Sequence, residues 1–374
     1  MNVVHRRVQL EIDLGILRAN FQKIAAAVSP SAVMAVLKAN AYGLGVRRVA
    51  EALARAGAAR FGVAELNEAL ELHEIGLPVQ ILGGVLAEEI PGAVEVGIVL
   101  PITDMDTARR ISAEAVKQGR TAVCHIKIDT GMGRLGILAS EAERSVVEVA
   151  ALPGLDCEGI YSHFPVAYRR GSAFTEGQID AFLGLVERLA SRGLHFKLRH
   201  MANSDAINNF PRAFRAPLNM VRTGINLYGC FDMEGSRVLD VQSVLTLKTR
   251  LTAVRQLPAG MNVGYGGTYT VPRAMAVGTI SAGYADGLPL ALSNRGHVLI
   301  CGKPCPVVGR VSMDYTTVDL TQVPEACVGD EVVCLGGEGP MRVTVEHWAQ
   351  LKGTHSYEII CSIGGRVERR YVGG

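Results

Sequence analysis

The chain has 374 residues, of which 48% are hydrophobic and 20% charged, and its formal net charge is +2 at pH 7. That length exceeds what one core usually supports, so two domains are expected; with basic residues only in scattered pairs such as Arg47-Arg48 and Arg169-Arg170, a nucleic-acid-binding stripe is excluded. No apolar run reaches the ~18 residues of a membrane helix and no apolar core follows Met1 to Arg7, so a cytoplasmic protein without membrane attachment is expected.

Short apolar runs alternate with helical periods through the first half. Strands are predicted over 33–37, 61–64, 79–83, 98–102, 122–128, 157–163, 196–202 and 220–223, with helices between them, for example over 104–118 and 175–192. Eight βα units in about 230 residues point to a TIM-like (β/α)8 barrel, where catalytic groups sit at the C-terminal ends of strands. Beyond Gly229 the pattern changes. Residues 241–254 alternate, and Gly-rich turns separate β-branched runs at 275–282, 297–301, 306–319 and 331–335. The expected class is therefore α/β plus all-β, with an N-terminal barrel over 1–234 and a C-terminal mainly β-strand domain over 235–374. Gly336-Gly337-Glu338-Gly339 lacks the Lys-Ser/Thr of a phosphate-binding P-loop and reads as a hairpin turn. Eight cysteines without a Cys-x-x-Cys pair fit neither a disulfide scaffold nor a zinc site, and Cys301 and Cys305 have no His or Cys pair at ligand spacing, so no metal is expected.

Lys38 follows the apolar run Ala32 to Leu37, at the end of the first predicted barrel strand. An amine buried there loses hydration and shifts toward the free base needed for Schiff-base chemistry; the alternative is a lysine that snorkels to solvent. Tyr42 adds a hydroxyl four residues on, and Gly43 and Gly45 permit a sharp turn before a helix near Val46. After the fifth strand, Lys127 to Gly136 forms a Gly-rich loop able to hold Arg134 rigidly as a fork for a carboxylate or phenolic oxygen; a plain surface arginine is the alternative. His163, His200 and Arg222 end the last three strands and suggest a hydrogen-bonded chain. Ser204 and the amides of Gly224 and Ile225 are placed where barrels of this class bind phosphate. In the β domain, glycines on both sides of Tyr265 permit a bend that projects its hydroxyl.

The segment Lys38-Ala39-Asn40-Ala41-Tyr42-Gly43-Leu44-Gly45 resembles the pyridoxal-phosphate attachment signature of bacterial alanine racemases, the fold-type III family, and at least six further segments resemble that family over nearly the whole chain. The resemblance implies a homodimer that interconverts L- and D-alanine on pyridoxal 5'-phosphate and supplies D-alanine for peptidoglycan. Racemisation needs a proton taken from one face and returned to the other, hence two bases, which the resemblance assigns to Lys38 and Tyr265. It also implies that Lys38 carries the cofactor, that Tyr42, Ser204, Gly224, Ile225 and Tyr357 help to hold it, and that Arg222 faces its ring nitrogen with His163 and His200 beside it. Arg134 and Met313 would bind the substrate, and Tyr284 would narrow its access. Lys127 matches a position carbamylated in some members. Active sites would be shared, with Tyr265, Tyr284 and Met313 acting on the other subunit's barrel. The stretches Pro165 to Arg170 and Gly364 to Arg366 depart from the family pattern.

Two other readings compete. Decarboxylases on the same barrel resemble this architecture but carry an acidic partner for the ring nitrogen and a Cys-Asp pair; Arg222 stands in the first place and no Cys-Asp dipeptide occurs. A non-catalytic carrier of the cofactor would be a lone barrel, against which the β domain argues. An arginine at the ring nitrogen cannot take up its proton, so a carbanion would be stabilised weakly and briefly, which suits a racemase.

Overall fold

The computed structural model describes residues 6–232 and 237–374, and the boundary expected near 235 lies outside them. Two compact units are present: one spans 17–227 with 237–241, and the other joins residues up to 16 to 228–232 and 242–374. In chain order the strands are β1 (Gln9–Asp13), β2 (Ala32–Val36), β3 (Arg60–Val63), β4 (Val79–Ile81), β5 (Leu100–Ile102), β6 (Ala122–Asp129), β7 (Ile137–Leu138), β8 (Leu155–Tyr161), β9 (Leu198–His200) and β10 (Met220–Thr223). They are followed by β11 (Leu245–Leu257), β12 (Asn262–Val263), β13 (Tyr269–Thr270), β14 (Met275–Ile280), β15 (His297–Ile300), β16 (Lys303–Pro306), β17 (Thr316–Asp319), β18 (Glu331–Leu335) and β19 (Glu368–Val372).

In the first unit, β10-β2-β3-β4 form one parallel run and β5-β6-β8-β9 another. Backbone bonds from Ile81 to Val99 and from Val99 to Val79 (3.0 and 2.9 Å) join them at one seam. Bonds from Asn219 to Arg199 and from Arg222 to Ala202 (3.1 and 2.9 Å) join them at the other, so the eight strands close into a barrel. All eight predicted strands are present. Val33 to Val36 of β2 are all buried, because a strand covered on both faces has no polar alternation to show. In β6, Cys124, Ile126 and Ile128 alternate with His125, Lys127 and Asp129, and all six are buried. Period two puts imidazole, ammonium and carboxylate on one face of that strand. The helices between strands are capped locally: Asp104 accepts from the Thr107 amide and Ser172 from that of Thr175.

The second unit is built on an eight-stranded sheet with the order β16-β15-β18-β11-β1-β19, in which β14 also pairs with β11 and with β17. The run predicted as one strand over 306–319 is broken: β16 ends at Pro306 and β17 starts at Thr316, with the Gly309 to Asp314 loop between them. β1 lies inside this sheet, antiparallel to β11 (Leu10 opposite Leu247) and parallel to β19 (Leu10 opposite Arg369). Leu10, Ile12, Leu247, Val298, Val332 and Trp348 are buried in its core. Leu10→Ala therefore removes buried side chain from an inner strand and should cost about 2–5 kcal/mol, measured as a lowered urea midpoint with an unchanged slope.

Candidate active site

Lys38 directly follows Leu37 beyond β2, and the backbone after it is unusual. Ala39, Asn40, Ala41 and Tyr42 all adopt left-handed helical angles, with φ of 54, 54, 53 and 60°. Each non-glycine residue there costs roughly 1–2 kcal/mol, so the turn persists only because other contacts over-determine it. The Asn40 side-chain oxygen accepts from the Val46 amide at 2.7 Å, and the Ala41 amide donates back to Leu37 at 2.8 Å. Lys38 itself is exposed, the solvent-reaching one of the two readings open to it: the left-handed turn carries the chain out of the strand layer. The buried lysine of the site is Lys127. Burial first, and then the positive charges of Arg134 and Arg222, push its amine down to about 8. Its Nζ donates to the Leu82 carbonyl at 3.1 Å and lies 5.5 Å from the centre of the Tyr161 ring.

Arg222 is buried and is held from several sides. Nη1 donates to His200 Nδ1 at 2.6 Å, while Nη2 donates to the carbonyls of Ser162 and Met201 (2.7 and 2.9 Å) and lies 3.2 Å from His163 Nδ1. Tyr161 stacks on His200 with ring centres 4.9 Å apart. The chain continues from His200 Nε2 to His125 Nδ1 (2.9 Å) and from His125 Nε2 to Glu158 Oε2 (3.1 Å). An arginine only donates, so His200 carries its proton on Nε2 and, by the same logic, His125 carries its own on Nε2, facing the carboxylate. Arg60 Nη1 lies 3.2 Å from that same nitrogen, but two donors cannot share it, so Arg60 acts through Glu158 Oε2 at 2.9 Å. Both rings are neutral: burial first, with nearby cations, lowers His125 and holds His200 well below the usual histidine range. Burial first, and then Arg222, Arg134, Lys127 and Lys38, do likewise to His163. Gly159 makes room for this chain, since a Cβ there would stand 2.5 Å from the His125 ring.

At the end of β10, the Gly224 amide donates to Ser204 Oγ at 3.0 Å, and a Cβ on Gly224 would lie 2.2 Å from the Tyr42 hydroxyl. Tyr42, Ser204, Gly224 and the start of Ile225–Tyr228 thus meet at one place. Asp129 caps the loop that carries Arg134: its carboxylate accepts from the amides of Gly131, Met132 and Gly133 at 2.8, 2.8 and 2.9 Å. Burial opposes its ionisation, yet those amides hold the carboxyl below its ordinary range.

The second unit gathers its own set. Tyr265 is 73% exposed on a turn flanked by Gly264 and Gly266 at φ 71 and 73°, and Tyr284 and Met313 are 47% and 53% exposed. The amides of Tyr284 and Ala285 donate to the carbonyls of Ser312 and Met313 (3.0 and 3.1 Å), so these two segments are stitched together. Arg366 forks on Asp286 (2.7 and 2.8 Å) and reaches Asp314 at 2.7 Å. Tyr357 lies in the short helix Ser356–Cys361 of the same unit.

Arg60, His125, Glu158, Asp129 and Tyr161 were not singled out from sequence. The signal for His125 and Glu158 was the polar alternation inside β6 and the glycine in Cys157-Glu158-Gly159, which an apolar-run reading absorbs into a strand; Arg60 opens β3 and carries no such signal.

The family model "Alanine racemase, N-terminal domain" matches residues 12–232, and "Alanine racemase, C-terminal domain" matches 244–371. The alanine racemase of Desulforamulus reducens is 42% identical over 369 residues, covering 97% of this chain and 98% of that protein. That of Carboxydothermus hydrogenoformans is 38% identical, covering 98% of this chain and 100% of its own. Among solved structures, the alanine racemase from D-cycloserine-producing Streptomyces lavendulae superposes with a TM-score of 0.91 at 37% identity, covering 99% of this chain and 98% of that one. The Bartonella henselae alanine racemase, described with covalently bound pyridoxal phosphate, gives a TM-score of 0.88 at 28% identity, covering 98% of this chain and all of that one.

Glu158 generates a pH test. The His125 hydrogen bond first, and then Arg60, lower its carboxyl from 4.5 to about 2, against burial. A depressed folded-state value contributes stability that is present above the unfolded value and lost as pH falls toward 2. Glu158→Gln should therefore lower the melting temperature most above pH ~5, and the gap from the unmodified protein should close on acidification; a gap independent of pH would be inconsistent with this ionised anchor.

Proposed function

The chain belongs to the alanine racemase family of isomerases, and on that premise we propose that it racemises alanine with pyridoxal 5'-phosphate at Lys38, using Lys38 and Tyr265 as bases. The observation that carries the cofactor reading is Arg222. Its Nη groups are committed to protein acceptors, and its Nε–H has no hydrogen-bond partner among the described residues, leaving one donor for a ring nitrogen. The close approach of Tyr42 to Gly224 beside Ser204 Oγ supports a phosphate seat completed by the Ile225 amide.

The bound cofactor supplies an electron sink for the negative charge left on the substrate α-carbon. Arg222 would hold the cofactor at its ring nitrogen as a donor that cannot protonate it, which would limit that sink and discourage side reactions. Arg134 and the Met313 amide bind the substrate carboxylate. The Lys38 amine takes the α-proton of the D enantiomer on one face, and the phenol oxygen of Tyr265 takes that of the L enantiomer on the other. His163, with Nδ1 turned to Arg222, holds its ring proton on Nε2. The exposure of Tyr265, Tyr284 and Met313 supports their presentation to the barrel of a second copy in a homodimer, with Tyr284 narrowing access. D-alanine supply for peptidoglycan and a cytoplasmic location belong to the same reading; among the described residues no helix is long and apolar enough to cross a membrane.

For Lys127 the unmodified lysine and the carbamate carried by some members of the family both stand, and the carbamate is the form that would act on Arg134. The Lys127 amine, lowered to about 8, has an appreciable neutral fraction near neutral pH. The nitrogen lone pair attacks the carbon of CO2, an N–C bond forms and a proton leaves for solvent; the resulting anion orients Arg134. Incubation with 13C-bicarbonate should give a carbamate 13C signal that Lys127→Ala abolishes, and persistence of the signal in that variant would rule out this position.

For the bases, borohydride should fix the cofactor on the peptide containing Lys38. Lys38→Ala should lose both the adduct and racemisation. Tyr265→Ala should keep the cofactor but suppress α-deuterium exchange from L-alanine far more than from D-alanine. Mixing the two inactive proteins under conditions of proven subunit exchange should restore activity; no recovery would reject the shared site.

A further inference from the structure

We propose that Glu68 is a positioning residue for Lys38, acting through the backbone amide that follows it; this rests on the reading of Lys38 as the cofactor-bearing lysine. Glu68 is the third residue of the helix Leu66–His73. A carboxylate is favoured there by the partial positive charge of the helix start, and it ordinarily turns back onto its own N-cap amide. Glu68 does neither of the usual local jobs alone. Its Oε2 accepts from the Ala64 amide at 2.7 Å, just beyond β3, and its Oε1 accepts from the Ala39 amide at 2.5 Å, just beyond β2. One carboxylate therefore ties the ends of two neighbouring strands at the point where Lys38 leaves the sheet.

The Ala39 amide needs such a partner. It opens the left-handed turn, and the first amides of any helical turn lack acceptors within it. The later bonds of the turn are internal, from Ala41 to Leu37, Leu44 to Ala41 and Gly45 to Asn40. Fixing the Ala39 amide fixes the peptide plane that joins it to Lys38, and with it the direction in which the Lys38 side chain departs. With Lys38 exposed within this chain, its own backbone sets where the side chain starts. Two donors require two acceptors. Glutamine offers one acceptor and one donor, so it must abandon one strand end; aspartate keeps both acceptors on a stem one methylene shorter.

The test compares the holoenzyme with E68Q and E68D in amide hydrogen exchange, steady-state kinetics and thermal melting. E68Q should exchange faster in peptides spanning 37–46, with peptides from the β domain unchanged. Its kcat should fall about 10- to 100-fold, the scale of a misplaced catalytic group, with KM for alanine within about twofold, since the groups assigned to the substrate carboxylate are untouched. A purely structural role would instead lower the melting temperature without changing kcat per bound cofactor, and that result would overturn the proposal. So would wild-type exchange in segment 37–46. If E68Q does not fold, E68D decides by the same two readings, with smaller changes in the same direction expected. Borohydride labelling of the unmodified enzyme keeps the two claims separable: label on another lysine ends the Lys38 reading, whereas the exchange of segment 37–46 judges the Glu68 anchor without reference to turnover.

Discussion

The interior of the barrel is organised by one chemical fact about Arg222: a guanidinium donates and never accepts. Every neighbour must then present a lone pair, which is why three carbonyls and two histidine Nδ1 atoms surround it. That demand propagates. It sets the proton on His200, then on His125, and ends at an anion, Glu158, with Arg60 and Lys197 bound to its oxygens. A buried cation is tolerated only when such partners are supplied, and burial still lowers this one to about 10. The glycine at 159 and the polar alternation of β6 are best understood as requirements of this chain rather than of the strands that carry it.

The cations Lys38, Lys127, Arg134 and Arg222 all act on the same region, since each of the other three depresses the Lys127 amine. The carboxylate that acts on the Lys127 amine, Asp129, is committed to its own loop amides. A region so charged favours anionic ligands, and a phosphate with an amino-acid carboxylate supplies two. Carbamylation of Lys127 would convert one member of the set from a repulsive neighbour of Arg134 into an attractive one.

Much of this was legible in the sequence because parallel strands buried on both faces read as apolar runs, and all eight barrel strands were found on that signal. Lys38, Arg222, Ser204 and Gly224 were legible because they sit at the ends of those strands. Three features were not. The left-handed turn at Ala39 to Tyr42 runs against the intrinsic preference of alanine and tyrosine, so no propensity argument reaches it. The exposure of Lys38, one of the two readings open to it, follows from that turn. Glu68 and Glu158 look like ordinary helix and strand carboxylates until the elements that donate to them are brought alongside. β1 escaped notice because the short run Gln9 to Asp13 has no flanking turn signals and precedes the first periodic βα unit.

β1 also bears on how the chain is made. It precedes the barrel strands in chain order, yet its sheet neighbours are β11 and β19, which follow them. Made before the barrel, β1 must therefore wait for its sheet neighbours until the barrel and the strands beyond it have emerged. Closing so long a span makes completion of the C-terminal sheet a late, entropically demanding step. Dividing the gene at the junction between the two halves would strand an inner β-strand on the wrong fragment, so neither product would contain a complete C-terminal sheet.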